Sequence, residues 1–206
     1  MKLLITTIFF GCLAFGDIST LNDKDMRAMN GVSMHNGCPV SSDELRNVSV
    51  KYHDFNGDTF DGTLVVHRDI AHDVEMIFKE LYEIHYPIAR ISPIEKYKGS
   101  DFNSIEADNT SAFNCRKATG ETKYSKHAYG KAIDINPIEN PYIFRSGNVS
   151  HKASNIYKNR NISSQISVNE KAMLLPNSKA VEIFKRHGWR WGGDWNVKDY
   201  QHFDKQ

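Results

Sequence analysis

Hydrophobic residues alternate with polar ones in the first third of the chain, and this pattern predicts a β-hairpin. Val48, Val50 and Tyr52 alternate with polar neighbours, Asn56-Gly57-Asp58 supplies a turn, and residues 63–66 form the return strand. Because successive side chains of a strand point to opposite faces, one face of such a hairpin can cover a core.

Helical spacing of apolar residues follows the hairpin. Between Asp69 and His85, apolar residues recur every three or four positions: Ile70, Val74, Ile77, Phe78, Leu81 and Ile84. This spacing predicts an amphipathic helix that stops before Pro87. A second helix is predicted from Asn177 to Arg186, with Asn177 as its N-cap and Gly188 closing it.

Shorter elements complete the prediction. Ser92-Pro93-Ile94-Glu95 has the form of a capping box with proline at the first helical position, which predicts a short helix. Residues 132–136 alternate like a strand. Trp189–Trp191 and Tyr200–Phe203 predict two aromatic strands around a Gly192-Gly193 turn.

The order of these elements indicates the fold class. Short strands and separate helices predict an α+β fold, in a single domain with a small antiparallel sheet and helices packed on one side. The stretch 139–176 is polar and rich in Asn and Ser, so we expect long loops over one end of the domain.

The N-terminus has the pattern of a secretory signal peptide. Lys2 is followed by a short apolar run that ends at Gly16, too short for a comfortable membrane span. We therefore expect a leader over residues 1–20, an exported domain over residues 21–206 in the periplasm, cell envelope or extracellular space, and no membrane span after cleavage. Lipid attachment at Cys12 and a buried N-terminal strand remain alternatives.

Composition narrows the function classes. The 206 residues carry 26 Lys and Arg against 25 Asp and Glu, and this balance argues against a nucleic-acid binder. A mean hydropathy of -0.53 excludes a polytopic membrane protein. After export two cysteines would remain, Cys38 and Cys115, either as a disulfide or as two buried thiols.

Two of the nine histidines stand in a pattern that is typical of a metal site. Asp134 lies in a predicted strand between apolar neighbours, where a carboxylate is costly unless it is paired or binds a metal. Together, His127, Asp134 and His202 offer two imidazoles and one carboxylate, the ligand number of a catalytic zinc site that leaves a position for water. Asp199, three residues before His202, is a candidate base for that water. A lone histidine would more commonly be a core residue.

Three motifs stand in the second half of the chain: S-x-H-x-x-G-x-A-x-D at Ser125–Asp134, W-G-G-D-W at Trp191–Trp195 and D-x-x-H-F at Asp199–Phe203. Together they resemble those of the VanY-type D-alanyl-D-alanine carboxypeptidase family of zinc-dependent peptidoglycan peptidases. Similarity also extends upstream through residues 37–40, 62–66 and 109–116.

The resemblance implies a hedgehog/D-Ala-D-Ala-peptidase-like fold and one Zn²⁺ ion. It also implies peptidoglycan stem peptides as the substrates. We expect the protein to be a monomer. The implied zinc ligands are His127, Asp134 and His202. Asp199 corresponds to the catalytic acid/base, Arg116 to the substrate-binding arginine and Ser125 to a serine lining the pocket.

Several alternatives remain open from the sequence. Arg90 could replace Arg116 as the substrate arginine. Because Asp199 stands where many carboxypeptidases carry Glu, an endopeptidase of the L-alanyl-D-glutamate type competes with a D-alanyl-D-alanine carboxypeptidase. A non-catalytic wall-binding module is a further alternative. A serine-type enzyme is disfavoured because the chain has no S-x-x-K motif.

Overall fold

The fold, taken from a computed structural model that describes residues 16–161 and 167–206, contains two antiparallel three-stranded sheets. The strands are β1 (Asp17–Thr20), β2 (Leu45–His53), β3 (Thr59–His67), β4 (Ala132–Asp134), β5 (Arg190–Trp191) and β6 (His202–Asp204). The helices are α1 (Asp23–Met29), α2 (Ala71–Glu83), α3 (Asp101–Glu106), α4 (Val168–Lys171) and α5 (Lys179–Arg186). The first sheet has the order β1-β2-β3 and the second the order β4-β6-β5. The predicted α+β class is confirmed, with two small sheets where one was expected.

The predicted hairpin and first helix are both present. β2 and β3 pair along their whole length, and the turn between them is closed by a hydrogen bond from the amide of Asp54 to the carbonyl of Asp58. α2 begins at Ala71, later than the pattern predicts, because Arg68–Ile70 form a 3₁₀ turn before it.

The first sheet is covered on both faces. Val48, Val50, Leu64 and Val66 belong to the main core, which also contains the apolar faces of α2 and α5 and residues of the second sheet. Val65, which points to the opposite face of β3, belongs to a second cluster with Met29, Leu45, Phe113 and Cys115. The two sheets therefore share one main core, and the second cluster lies on the opposite face of the first sheet.

Two predicted helix starts are wrong. Ser92–Glu95 does not form a capping box: Ile94–Tyr97 is a 3₁₀ turn without a side-chain cap, and the Glu95 carboxylate accepts a hydrogen bond from Ser33 instead. α5 is capped by Ser178, one residue after the predicted Asn177, because the Ser178 hydroxyl accepts from the amide of Val181.

The long connection between residues 139 and 176 is held by a half-buried arginine, Arg160. The guanidinium of Arg160 donates to the carbonyls of Glu139, Tyr157 and Leu174 and to the side-chain oxygen of Asn140. It also lies 4.3 Å from the ring centroid of Tyr200. The connection contains the predicted loops, and also α4 and a 3₁₀ segment, Lys152–Lys158.

The expected leader cannot be compared with the fold over most of its length. Residues 1–15, with Cys12, lie outside the described residues, whereas residues 17–20 form β1 and pair with β2. None of the helices in the described ranges is long and apolar enough to cross a membrane.

Cys38 and Cys115 form a disulfide between positions 77 residues apart. It borders the second cluster, and the amide of Cys115 donates to the carbonyl of Ser33. The bridge therefore fastens the N-terminal segment to the chain that leads into the Ser125–Asp134 motif.

Removing this bridge should lower the free energy of unfolding. For a closed loop of this length, loop entropy predicts a loss of about 4 kcal/mol in a Cys38→Ser/Cys115→Ser variant, measured by urea unfolding. Wild-type protein in a thiol reductant should match the variant. An unchanged free energy of unfolding would mean that the bridge does not constrain the unfolded chain.

The carboxyl groups of Asp108 and Glu139 lie close together, and this makes the free energy of unfolding depend on pH. Burial and the adjacent Glu139 carboxylate raise the pKa of Asp108 to about 8. Because an unfolded Asp has a pKa of about 3.9, the folded chain keeps a proton that the unfolded chain releases, and stability falls as pH rises between these values.

Asp108→Asn removes this titration and keeps an oxygen that can accept from the amide of Ile138, 3.0 Å from Asp108 Oδ1. Between about pH 5 and about pH 8, urea unfolding should therefore show a smaller loss of stability in the variant than in the wild type. Equal losses would rule out Asp108 as the titrating group.

Candidate functional site

Asp134 and His202 face each other because of strand register. β4 and β6 are antiparallel, and Asp134 pairs directly with His202 while Ile133 pairs with Phe203. Since neighbouring positions of a strand point to opposite faces, Ile133 and Phe203 enter the core and the two polar side chains share the other face.

His127 reaches the same place from a 3₁₀ turn that precedes β4. The turn spans Lys126–Tyr129 and is capped by Ser125, whose hydroxyl accepts from the amide of His127 at 3.3 Å. Gly130 ends it with a positive φ of 64°, and a Cβ there would lie 2.6 Å from the amide nitrogen of His67. The serine and glycine of the motif are thus explained by the turn that presents His127.

Potential ligand atoms of three side chains converge between these elements. His127 Nε2 lies 3.2 Å from Asp134 Oδ2 and 3.2 Å from His202 Nδ1, and His202 Nδ1 lies 3.0 Å from Asp134 Oδ1. All three side chains are at least four-fifths buried. The structure thus brings together the three residues that the sequence groups as candidate metal ligands.

The outer nitrogen of each histidine faces an acceptor. His127 Nδ1 lies 2.5 Å from the carbonyl of Ala112, and His202 Nε2 lies 3.7 Å from Asp204 Oδ2. Since carbonyls and carboxylates only accept, these contacts favour protons on the outer nitrogens, and the inner nitrogens face the Asp134 carboxylate. Once the inner nitrogens carry no proton, they and the carboxylate can bind a cation between them.

The donor set fits zinc. Ligands about 2.0–2.1 Å from a tetrahedral Zn²⁺ ion lie about 3.3 Å apart, close to the 3.0–3.2 Å contacts among these three side chains. Two imidazoles and one carboxylate are also an accepted zinc ligand set. Among the described residues, one other group of metal-binding side chains comes together, His35 with Cys38 and Cys115, but both of its cysteines are in the disulfide.

The titration of the ligands reflects their mutual contact. Burial would raise the pKa of Asp134, but His127 and His202 hold it far below its usual range. For His202, burial opposes ionisation, yet hydrogen bonding to Asp134 and Asp204 raises its pKa to about 10. The pocket therefore favours positive charge beside the Asp134 carboxylate.

Asp199 lies beside this group, held by a close backbone contact. Its amide donates to the carbonyl of Gly192, and a Cβ at Gly192 would lie 2.4 Å from the carbonyl oxygen of Asp199. Oδ1 of Asp199 is buried and has no hydrogen-bond partner among the described residues. Burial raises the pKa of Asp199 to about 6, and the charge of Asp134 adds to the rise. Asp199 thus has an oxygen free for a ligand.

A cleft of about 610 Å³ contains all four side chains. Ser125 and Arg116 line it as well, whereas the exposed Arg90 is not among its lining residues. The cleft is also lined by cationic and aromatic side chains. Cationic lining residues are Arg116, Lys123 and Lys126, and aromatic ones are Phe102, Tyr124, Tyr142, Phe144 and Trp195.

The sequence analysis missed the residues that support His202. Asp204 lies two positions further along β6, on the same face as His202, and Arg190 binds both of its carboxylate oxygens at 2.7 and 2.8 Å. The period-two rule that placed Asp134 could have located Asp204, but only the pairing of β5 with β6 brings Arg190 to it.

Weakening this support should weaken metal binding. Asp204→Asn lowers the negative charge behind His202, so the affinity for Zn²⁺ should fall about 10–100-fold, the usual effect of losing such a partner. Competition titration with a zinc-binding dye measures the change. Asp61→Asn removes an exposed carboxylate outside the cleft and serves as control. Equal zinc affinities in both variants would contradict the supporting role of Asp204.

Comparison with known proteins agrees with the site. No curated protein and no solved structure matches the chain significantly. A family model described as D-alanyl-D-alanine carboxypeptidase matches residues 119–205, a range that contains Ser125, His127, Asp134, Asp199 and His202. Arg116 lies just before it. Over residues 119–205 the chain therefore matches the D-alanyl-D-alanine carboxypeptidase family, as its paired motifs predicted.

Proposed function

We propose that the protein is an exported, zinc-dependent peptidase that removes the terminal D-Ala from peptidoglycan stem peptides. One observation carries this proposal. The side chains of His127, Asp134 and His202 contact one another at 3.0–3.2 Å, through both oxygens of Asp134, in the same cleft as the unpartnered, buried Oδ1 of Asp199. The family match over residues 119–205 supports the reaction class.

His127, Asp134 and His202 would hold the metal ion. Zinc, when bound there, supplies Lewis acidity that acidifies water and polarises a carbonyl group. The contacts of His127 with Ala112 and of His202 with Asp204 orient the two rings before any ligand arrives. The protein's part is thus a preformed pocket with oriented imidazole rings.

Asp199 would move the proton. Its Oδ1 takes a proton from the attacking water as the water oxygen bonds to the scissile carbonyl carbon, and then gives that proton to the leaving amine. The C–N bond breaks, and the products are a shortened peptide with a new carboxylate and free D-Ala. The raised pKa of Asp199 suits a group that both accepts and returns a proton.

Arg116 and Ser125 would bind substrate at the cleft wall. A guanidinium suits a carboxylate because its planar fork presents paired donors. Arg116 is preferred over Arg90 because Arg116 lines the cleft. Export also belongs to this proposal, and cleavage at Gly16 would leave β1 paired with β2. A monomer suffices because all proposed site residues come from one chain.

Asp199→Asn should keep zinc and lose turnover. The amide cannot take the water proton, so kcat on defined muropeptides should fall about 10²–10⁴-fold, while zinc content by elemental analysis stays at one ion per chain. Asp194→Asn is the matched control, since exposed Asp194 lies in the Gly192–Asp194 turn and pairs with Lys185 of α5. A fully active Asp199→Asn protein would exclude Asp199 as the base.

Product identity separates the competing activities. Mass spectrometry of muropeptides incubated with the wild type should show free D-Ala, and a chelator should abolish it. Internal cleavage would favour the endopeptidase alternative with the same site. No cleavage of any muropeptide by zinc-loaded protein would contradict a peptidase and favour a wall-binding module.

A further inference from the structure

Arg116 is held by a carboxylate that no motif includes. Asp101, the first residue of α3, forms an ion pair through Oδ2 with Nε of Arg116. Both side chains line the cleft and are about one-third exposed, at 35% for Asp101 and 29% for Arg116. The pair therefore lies where a substrate would meet the cationic wall.

Asp101 is itself fixed from the opposite side. Its Oδ1 accepts from Nδ2 of Asn114 at 2.9 Å, and the same Nδ2 donates to the carbonyl of Gly99. The backbone amide of Asn114 in turn donates to the backbone carbonyl of His127, one of the proposed metal ligands. Asp101 is thus anchored to the frame of the site independently of Arg116.

These contacts leave one edge of the guanidinium for a ligand. Nε faces Asp101, and Nη1 donates to the carbonyl of Lys117 at 3.1 Å. No acceptor for Nη2 occurs among residues 16–161 and 167–206. A long arginine side chain otherwise loses rotamer entropy when it binds, so holding two of its nitrogens in advance reduces that cost.

We infer that Asp101 is a positioning residue that turns Arg116 into a preformed receptor for the free α-carboxylate at the C-terminus of the substrate peptide. The inference rests on the proposed function and adds the feature that selects chain ends. Without Asp101, Arg116 keeps its charge and loses its orientation. Lys123 and Lys126, which also line the cleft, then attract anions without selecting a planar carboxylate.

Binding without turnover tests this inference. Zinc-loaded Asp199→Asn protein is titrated by calorimetry with acetyl-L-Lys-D-Ala-D-Ala as the free acid and as the C-terminal amide. The acid should bind about tenfold more tightly than the amide, the effect of one charge-assisted contact. Adding Asp101→Asn should remove most of this preference, and adding Asp61→Asn should leave it intact.

A second variant covers the case in which Asp101→Asn impairs folding. Arg116→Lys keeps the positive charge but has no Nε for Asp101 to hold, so it should also lose the acid preference, with a thermal midpoint near that of the parent protein. Retention of the preference in a folded Asp101→Asn or Arg116→Lys protein would overturn the inference.

Failure of the inference can be distinguished from failure of the proposed function. If the wild type releases D-Ala from muropeptides but its Asp199→Asn form binds acid and amide equally, the peptidase proposal stands and the carboxylate receptor is wrong. If no muropeptide is cleaved and neither peptide binds, both proposals fail.

Discussion

The pairing of β4 with β6 is the constraint on which the site depends. One register places Asp134 opposite His202 on the polar face and Ile133 opposite Phe203 in the core. A shift by one residue would exchange these faces, burying the polar pair and exposing the apolar one. Core packing and ligand geometry therefore select the same register, which allows strands of three residues each to hold the site.

The rest of the cleft is built against this pair by parts of the chain that are far apart in sequence. The disulfide at Cys115 and the amide contact of Asn114 with His127 fix the segment that carries Arg116, while Gly192 admits the backbone of Asp199 from the other side. The walls therefore stand in place without a bound ligand, as electrostatic catalysis requires.

Much of this could be predicted from sequence because the relevant signals are local. The hairpin, α2 and the aromatic strands follow from periodicity, and the grouping of His127, Asp134 and His202 as candidate ligands follows from motif spacing. The Ser92–Glu95 motif misled because Ser33, distant in sequence, binds the Glu95 carboxylate that the capping box needs. β1 was missed because its residues also fit the end of a leader.

The sequence does not predict contacts between segments that are far apart in the chain and share no motif. Arg190 meets Asp204 through the pairing of β5 with β6, and Asp101 contacts Arg116 through one oxygen while Asn114 binds the other. Half-buried Arg160 likewise organises the polar stretch through backbone carbonyls, which any sequence would offer.

The central claim is that His127, Asp134 and His202 form one metal centre. Anomalous diffraction from zinc-loaded crystals, recorded on both sides of the zinc absorption edge, tests it most directly. We expect one strong anomalous peak within coordination distance of His127 Nε2, a carboxylate oxygen of Asp134 and His202 Nδ1. A zinc peak elsewhere, with none between these three side chains, would contradict it.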